Sequence, residues 1–189
     1  MQRSHLMIVC GIPGAGKSTF ALRMADRWGA VSFASETFAE QLGDPARTKS
    51  GDLSKEAILH AYAAMGAAVT HSLAANKLVV AVGSFRSEEQ RSRFRDIATN
   101  FGASVTTVRI NCSINTATQR IQSRRAIGER GPNEEAIIQI NGTLDRATDV
   151  EVVLTNESTF EEFYRKIDAL IQGLNAIPNV ESAATIYGT

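Results

Sequence analysis

The sequence is short of cysteine and has no long apolar run, and both shortages exclude classes of protein. Its two cysteines, Cys10 and Cys112, lie far apart, which predicts neither a disulfide framework nor a zinc site. Each ends an apolar, strand-like run, so we expect two buried, reduced thiols. No stretch approaches the roughly 20 apolar residues of a membrane span, and no signal-peptide cleavage region follows Met1. We therefore expect a cytoplasmic protein without a membrane segment.

The sequence also lacks net charge, because its 20 basic and 20 acidic residues cancel. Proteins that bind nucleic acid without sequence preference carry an excess of basic residues that neutralise phosphates. The balance argues against nucleic acid as a partner, although it permits a local basic patch. The arginine-rich stretch 86–95 is one candidate patch, but acidic residues interrupt it, which is more typical of a solvated helix face. Its arginines are Arg86, Arg91, Arg93 and Arg95.

Apolar strand-like runs alternate with helix-period patterns along the whole chain. The runs lie at 6–10, 30–35, 78–82, 105–112 and 150–154. Serines that precede helical patterns predict N-caps at Ser54, Ser87 and Ser113, and Ser158 with Glu161 predicts a capping box. The alternation predicts an α/β fold with one parallel sheet covered on both faces. Without repeats or linkers, we expect one domain over 1–174 and a C-terminal tail over 175–189.

The segment 11–19, GIPGAGKST, matches the phosphate-binding pattern G-x-x-x-x-G-K-[ST] and lies between a strand-like run and a helical pattern. Glycines let backbone N–H groups wrap around a polyphosphate, which a Cβ would prevent. Lys17 supplies a charge for the β- and γ-phosphates, and Ser18 a hydroxyl for Mg²⁺. The alternative is a glycine turn that joins a core strand to a core helix. The predicted nucleotide-binding residues of this loop are Gly11, Pro13, Gly14, Ala15, Gly16, Lys17, Ser18 and Thr19.

Three other residues are candidates for phosphoryl-transfer chemistry. Glu36 follows the second strand-like run, where it would face the loop and accept a proton from an acceptor hydroxyl. Alternatively, Glu36 only complements a helix dipole. Arg120 and Arg124 lie four residues apart on one helix face, where a triphosphate would relieve their repulsion. The alternative is a solvated basic helix end. Residues of about 124–132 would form a short lid that excludes water.

Several segments resemble the small AAA-type P-loop kinases related to gluconate kinase, zeta toxin and the kinase domain of phage polynucleotide kinase. The resemblance rests on GIPGAGKST at 11–19, SFASE at 32–36, VVAVGSF at 79–85 with EEQR at 88–91, VRINCSINTATQRIQSRR at 108–125 and VVLTNES at 152–158. It implies a three-layer α/β/α P-loop NTPase fold, with a five-stranded parallel sheet of nucleotide-kinase-like strand order and a short lid. It also implies ATP and Mg²⁺, with Arg120 and Arg124 as lid arginines that touch adenine and phosphates. Glu36 falls where relatives often carry an aspartate for the acceptor.

Two positions depart from the pattern of these kinases. Val82 stands in the third strand where relatives usually have an aspartate that supports Mg²⁺, and Ala39 stands where the polynucleotide-kinase type has an arginine. The leading hypothesis is a kinase that transfers the γ-phosphoryl group of Mg-ATP to a small molecule or nucleotide. The alternatives are an ATP-binding regulatory or toxin-type protein with little turnover, and a polynucleotide end kinase.

Overall fold

The five strand-like runs form five β-strands in the computed structural model, which describes residues 4–42, 54–128, 131–144 and 147–176. The strands are β1 (His5–Cys10), β2 (Val31–Ala34), β3 (Leu78–Val82), β4 (Ser104–Asn111) and β5 (Val152–Thr155). The helices are α1 (Lys17–Trp28), α2 (Ser35–Glu40), α3 (Lys55–Ala74), α4 (Glu88–Asn100), α5 (Ile114–Ala126), α6 (Glu134–Leu144) and α7 (Phe160–Ala176).

The strands form one sheet in the order β2-β3-β1-β4-β5, and every pair is parallel. The central strand β1 is buried from Leu6 to Cys10, and β3 is buried along its whole length. Strands buried on both faces need helices on both sides of the sheet, which explains their continuous apolar sequence. The structure therefore confirms the predicted three-layer α/β/α fold and its five-stranded parallel sheet.

The strand order places the candidate site. In a parallel sheet, ligands bind in the crevice outside the carboxyl ends of the strands. The chain leaves the central strand β1 at this edge and enters the glycine loop and α1. Residues that follow β2, β3 and β5 reach the same edge, so Glu36, Gly83 and Asn156 lie around the loop although they are far apart in sequence.

Three of the four predicted helix caps are confirmed. The side chains of Ser54, Ser87 and Ser113 accept hydrogen bonds from backbone N–H groups in the first turns of α3, α4 and α5. The capping box predicted at Ser158 is wrong. Helix α7 begins one residue later, because the hydroxyl of Thr159 accepts a hydrogen bond from the N–H of Glu162 at 3.3 Å.

Both cysteines are free thiols; Cys10 is buried and Cys112 half-buried. Burial raises the pKa of both thiols. None of the helices in the described ranges is long and apolar enough to cross a membrane. Residues 177–189 lie outside the described part of the chain, so the predicted tail stays a prediction, as does the cytoplasmic location.

Candidate active site

The glycine loop leaves the N-terminus of α1 open to a ligand. Gly16 is the N-cap of α1 with φ of 102°, and no side chain of the described residues caps this end. A Cβ on Gly16 would lie 2.3 Å from the side-chain nitrogen of Asn156, and one on Gly14 would lie 2.7 Å from the carbonyl oxygen of Ala117. These positions therefore require glycine. The uncapped N–H groups and the helix dipole together favour an anion here.

Lys17 lies inside this loop. Its Nζ donates hydrogen bonds to the carbonyl oxygens of Gly11 and Ile12, both at 2.9 Å. Burial lowers the pKa of Lys17 to about 8, while the charge of Glu36 acts in the opposite direction. A desolvated ammonium that donates to carbonyl groups is stabilised by an incoming anion, which is the role predicted for Lys17 at the β- and γ-phosphates.

Arg120 and Asn156 connect the glycine loop to the rest of the site. Arg120 on α5 donates to the carbonyl oxygen of Gly14 at 3.3 Å and to Oδ1 of Asn156 at 3.5 Å. Asn156, which is only 6% exposed, donates through Nδ2 to the carbonyl oxygen of Ala15 at 2.8 Å. The structure thus brings the predicted Arg120 to the loop. Asn156 was not among the predicted site residues, and its one signal was its position directly after β5.

Glu36 lines the same cleft as Lys17. It lies in the first turn of α2, its side chain is exposed, and its charge raises the pKa of Lys17. The cleft has a volume of about 710 Å³, within the usual range for small-molecule sites. The two roles considered for Glu36 are compatible, because the residue both begins a helix and lines the cleft. The predicted site residues on its wall are Pro13, Gly14, Gly16, Lys17, Ser18, Thr19, Glu36, Arg120 and Arg124.

Arg124 lies in the last turn of α5 with an exposed side chain on the wall of the cleft. Its charge acts to lower the pKa of Lys17, so the two cations are close enough to interact. Gly131 and Pro132 line the cleft too, and Arg125 donates to the carbonyl oxygen of Gly131. Three residues of the predicted lid of about 124–132 therefore border the cleft: Arg124, Gly131 and Pro132. Residues 129–130 lie outside the described part of the chain. The motion of the lid stays a prediction.

The end of β3 lies against the hydroxyl group of Tyr62 on α3. Val82 is buried and is followed by Gly83, and both line the cleft. The hydroxyl of Tyr62 accepts a hydrogen bond from the N–H of Phe85 at 2.8 Å, and a Cβ on Gly83 would lie 2.4 Å from this oxygen. Burial raises the pKa of Tyr62 to about 12, so the phenol stays neutral. Tyr62 was not among the site residues predicted from the sequence.

The arginine-rich stretch 86–95 is only partly the solvated face that its charge pattern favoured, because Arg93 is exposed but Arg91 is buried. Arg91 is 2% exposed and makes a bidentate ion pair with Asp149, at 2.7 and 2.6 Å, and its third donor binds the carbonyl oxygen of Phe85 at 2.6 Å. Arg95 also pairs with Asp149, at 2.8 Å, and Arg93 pairs with Glu89. Three of these four arginines are thus neutralised by carboxylates. The stretch therefore supplies little support for nucleic-acid binding.

The residues present fit a magnesium-bound nucleoside triphosphate. Two glycines form a cradle that a Cβ would fill, and the exposed Ser18 in the first turn of α1 would hold Mg²⁺ beside the phosphates. Within the described ranges, no group of three or more His, Cys, Asp or Glu side chains is arranged to hold a metal ion. Mg²⁺ in such a site would thus depend on Ser18, phosphate oxygens and water, as is usual for an ion that keeps much of its hydration shell.

Several solved structures share the fold. The APS kinase of Mycobacterium tuberculosis in complex with AMPPNP and APS superposes with a TM-score of 0.64 at 15% identity, covering 91% of this chain and 99% of that chain. A gluconokinase from Sinorhizobium meliloti gives a TM-score of 0.66 at 18% identity, with 93% and 98% covered. A sugar kinase from Janibacter gives 0.67 at 15% identity, with 93% and 96% covered. At these identities the likeness shows a P-loop kinase-like fold.

Sequence comparison shows the family. A search of curated proteins gave no match. The profile of the AAA domain family, in contrast, matches residues 6–146, which include the glycine loop, Glu36 and both candidate arginines. Since this match covers most of the chain, the protein belongs to the AAA domain family.

Proposed function

We propose that the protein is an ATP-dependent phosphotransferase that moves the γ-phosphoryl group of Mg-ATP to a hydroxyl group of a small acceptor. The observation that carries the proposal is the common cleft of Lys17 and Glu36. A phosphate-binding cation and a carboxylate base in one cleft are what a kinase needs to align donor and acceptor. The fold, which is that of solved kinases, supports it.

The donor side of the cleft binds and neutralises the triphosphate. The N–H groups of the glycine loop and Lys17 hold the β- and γ-phosphates, and Arg120 and Arg124 stabilise charge on the phosphoryl group as it transfers. Bound at Ser18, Mg²⁺ would supply further charge neutralisation. This assignment agrees with the lowered pKa of Lys17, which a bound phosphate would raise again.

The acceptor side supplies the base. The acceptor oxygen attacks the γ-phosphorus, and the bond between this phosphorus and the β–γ bridging oxygen breaks. The electron pair of that bond leaves with ADP. The proton of the acceptor hydroxyl passes to the carboxylate of Glu36 and from there to water. The exposed position of Glu36 in the cleft supports this role, because its carboxylate is open both to an acceptor and to water.

A second candidate is an ATP-binding regulatory protein with little turnover, favoured by Val82 at the end of β3, where similar kinases carry an acid. In that case ATP would bind at the same loop, and no acceptor would accelerate ADP release. A polynucleotide end kinase is not proposed, because three of the four arginines that suggested it are held by Asp149 and Glu89.

The experiment is a screen of hydroxyl compounds for acceptor-stimulated ADP formation with Mg-ATP. We expect at least one compound to accelerate ADP release by the wild type. Lys17→Ala should abolish this activity, and Glu36→Gln should reduce the turnover about 10²-fold or more with little change in the Kd for ATP. Lys77→Ala removes an exposed lysine at the opposite end of the sheet and should leave turnover unchanged. Wild-type turnover in Lys17→Ala would overturn the proposal.

A further inference from the structure

A second cavity of about 490 Å³ lies between helices α3 and α4. We call it the α3–α4 groove and define it by Ile58, Tyr62, Ala63 and Ala67 on α3, with Phe94 and Ile97 on α4. The groove exists because α3 presents small side chains to α4. At Gly66 the two helices approach closely, since a Cβ there would lie 3.4 Å from Cδ1 of Ile97. Beside this contact, the small side chains of Ala63 and Ala67 leave the α3–α4 groove open.

The groove is continuous with the acceptor end of the cleft. Ile58, Tyr62 and Gln90 line both cavities, and Glu36 lines the cleft as well. The two cavities therefore meet at these three residues, which places the groove beside the cleft that Glu36 lines. Within the described ranges, no residue of the glycine loop lines the groove, so we assign the groove to the acceptor and not to ATP.

Neutral polar groups along the groove are already hydrogen-bonded within the protein. The hydroxyl of Tyr62 accepts from the N–H of Phe85, and that of Thr70 donates to the carbonyl oxygen of Gly66 at 2.9 Å. Ser87 and Gln90 bond reciprocally in the cap of α4, both at 3.3 Å. The groove thus offers mainly apolar contact area. A polyol would lose its hydrogen bonds to water there and gain few from the protein, whereas the burial of an apolar group is favourable.

The charged residues of the groove lie at its rim. Arg93 and Glu89 form an exposed ion pair with each other at 2.6 Å, and Lys55 is exposed at the first turn of α3. An apolar floor with a polar rim is the usual anatomy of a pocket for an apolar group. The floor is formed by Phe94, which is buried, and by the ring of Tyr62, which contacts Phe94 edge-on with centroids 6.3 Å apart.

We propose that the acceptor is amphiphilic: its hydroxyl group lies at Glu36, and an apolar body, aromatic or aliphatic, occupies the α3–α4 groove. This inference rests on the proposed kinase function and narrows its substrate class, because it disfavours acceptors that are polar throughout, such as sugar acids.

The test measures binding of 4-phenylbutan-1-ol to the full chain saturated with Mg-ADP, by two-dimensional NMR. Butane-1,4-diol, which lacks the ring, is the control compound. We expect saturable shifts at the amides of Ala63, Gly66, Ala67 and Ile97 with the phenyl compound, and none with the diol. Ala63→Phe fills the groove and should weaken binding at least about tenfold. Ala64→Phe adds the same ring to an exposed alanine of α3 outside the groove and should not change the Kd.

The outcomes separate this inference from the proposed function. Lys17→Ala should abolish ADP formation but bind the phenyl compound normally, and Ala63→Phe should bind Mg-ATP normally while raising the KM of acceptors found in the screen. Equal binding of the phenyl compound to Ala63→Phe and wild type, no saturable binding, or contacts of residues 43–53 with the groove would overturn the inference. Ala67→Leu is a second filling variant, and thermal unfolding confirms that each variant is folded.

Discussion

The side chain of Asn156 binds the carbonyl oxygen of Ala15 at 2.8 Å, across 141 positions of sequence. The same amide accepts a bond from Arg120, and the backbone N–H of Asn156 donates to Asn111 at 2.7 Å. This one buried residue therefore joins the ends of β4 and β5, the glycine loop and α5. It fixes the shape of the loop from outside the recognised motif.

Replacement of Asn156 should affect both stability and ATP binding. Asn156→Ala leaves the carbonyl oxygen of Ala15 without its donor, and the loss of one buried hydrogen bond costs about 1–3 kcal/mol. We expect a lower Tm and a weaker affinity for Mg-ATP, measured by thermal unfolding and calorimetry. Asn100→Ala, at the exposed end of α4, is the control and should change neither quantity. An unchanged Kd in Asn156→Ala would show that the loop keeps its shape without this contact.

Gly16→Ala should damage the phosphate loop more than backbone strain alone predicts. Its Cβ would lie 2.3 Å from Nδ2 of Asn156, in addition to the cost of a positive φ. Gly29 is a matched control, since it also has a positive φ, of 67°, but open space around its Cβ position. We expect Gly29→Ala to cost about 1 kcal/mol and to bind ATP normally. Gly16→Ala should lose measurable ATP binding in the same calorimetric assay, and equal behaviour of the two variants would contradict the steric argument.

The affinity for ATP should depend on pH through Lys17. Burial lowers the pKa of Lys17 to about 8 in the free protein, and a bound phosphate favours the charged form. ATP binding should therefore take up a proton and weaken as the pH rises above about 8. Calorimetry at pH 6.5 to 9.5, in buffers of different ionisation enthalpy, measures this uptake. In Lys17→Arg, which cannot lose its proton, the pH dependence should vanish; pH-independent binding by the wild type would refute the assignment.

The lowered pKa of Lys17 should also make the stability of the free protein depend on pH, but stability should rise with pH where ATP affinity falls. Because the folded state binds the proton of Lys17 less tightly than the unfolded chain does, the free energy of unfolding without nucleotide should rise between pH 8 and the ordinary lysine range.

Asp149 should make stability depend on pH in the acid range. Its hydrogen bond to Arg91 lowers the pKa of the carboxyl group to about 2, so the stability from this pair is lost as the pH falls towards that value.

Arg91 and Arg93 are both arginines of α4, but they lie in different environments. Arg91→Ala would leave Asp149 and the carbonyl oxygen of Phe85 without their main partner, at a cost of about 3–5 kcal/mol. Arg93→Ala breaks an exposed pair whose members are 61% and 74% accessible, and such pairs contribute little. Denaturant unfolding should separate the two variants clearly. Comparable small losses would mean that the buried pair is dispensable.

Local sequence patterns predicted most of the framework. The apolar runs of β1 and β3 follow from burial on both faces, and the glycine loop follows from the need for backbone amides around an anion. Three serine caps were also predictable, because a cap depends on its own helix. The cap of α7 was displaced by one residue, since Ser158 and Thr159 offer equivalent hydroxyl groups.

The sequence could not predict residues whose partners are distant. Arg91 reads as a surface arginine until Asp149, 58 positions away, is placed beside it. The same holds for Asn156 with Ala15 and for Tyr62 with Phe85, because these pairs form only when the strands assemble. The motif therefore defines the donor side of the cleft, while the acceptor side depends on tertiary packing.

The most direct test of the account is an NMR titration of the full chain with Mg-ATP, following the backbone amides of residues 11–19. The account predicts saturable shifts at Gly14, Gly16, Lys17 and Ser18, with smaller shifts at Glu36 and a higher Tm. Lys17→Ala should lose most of this response. Amides of the loop that do not move at saturating Mg-ATP, with an unchanged Tm, would contradict the central claim that this loop binds the polyphosphate of a nucleotide.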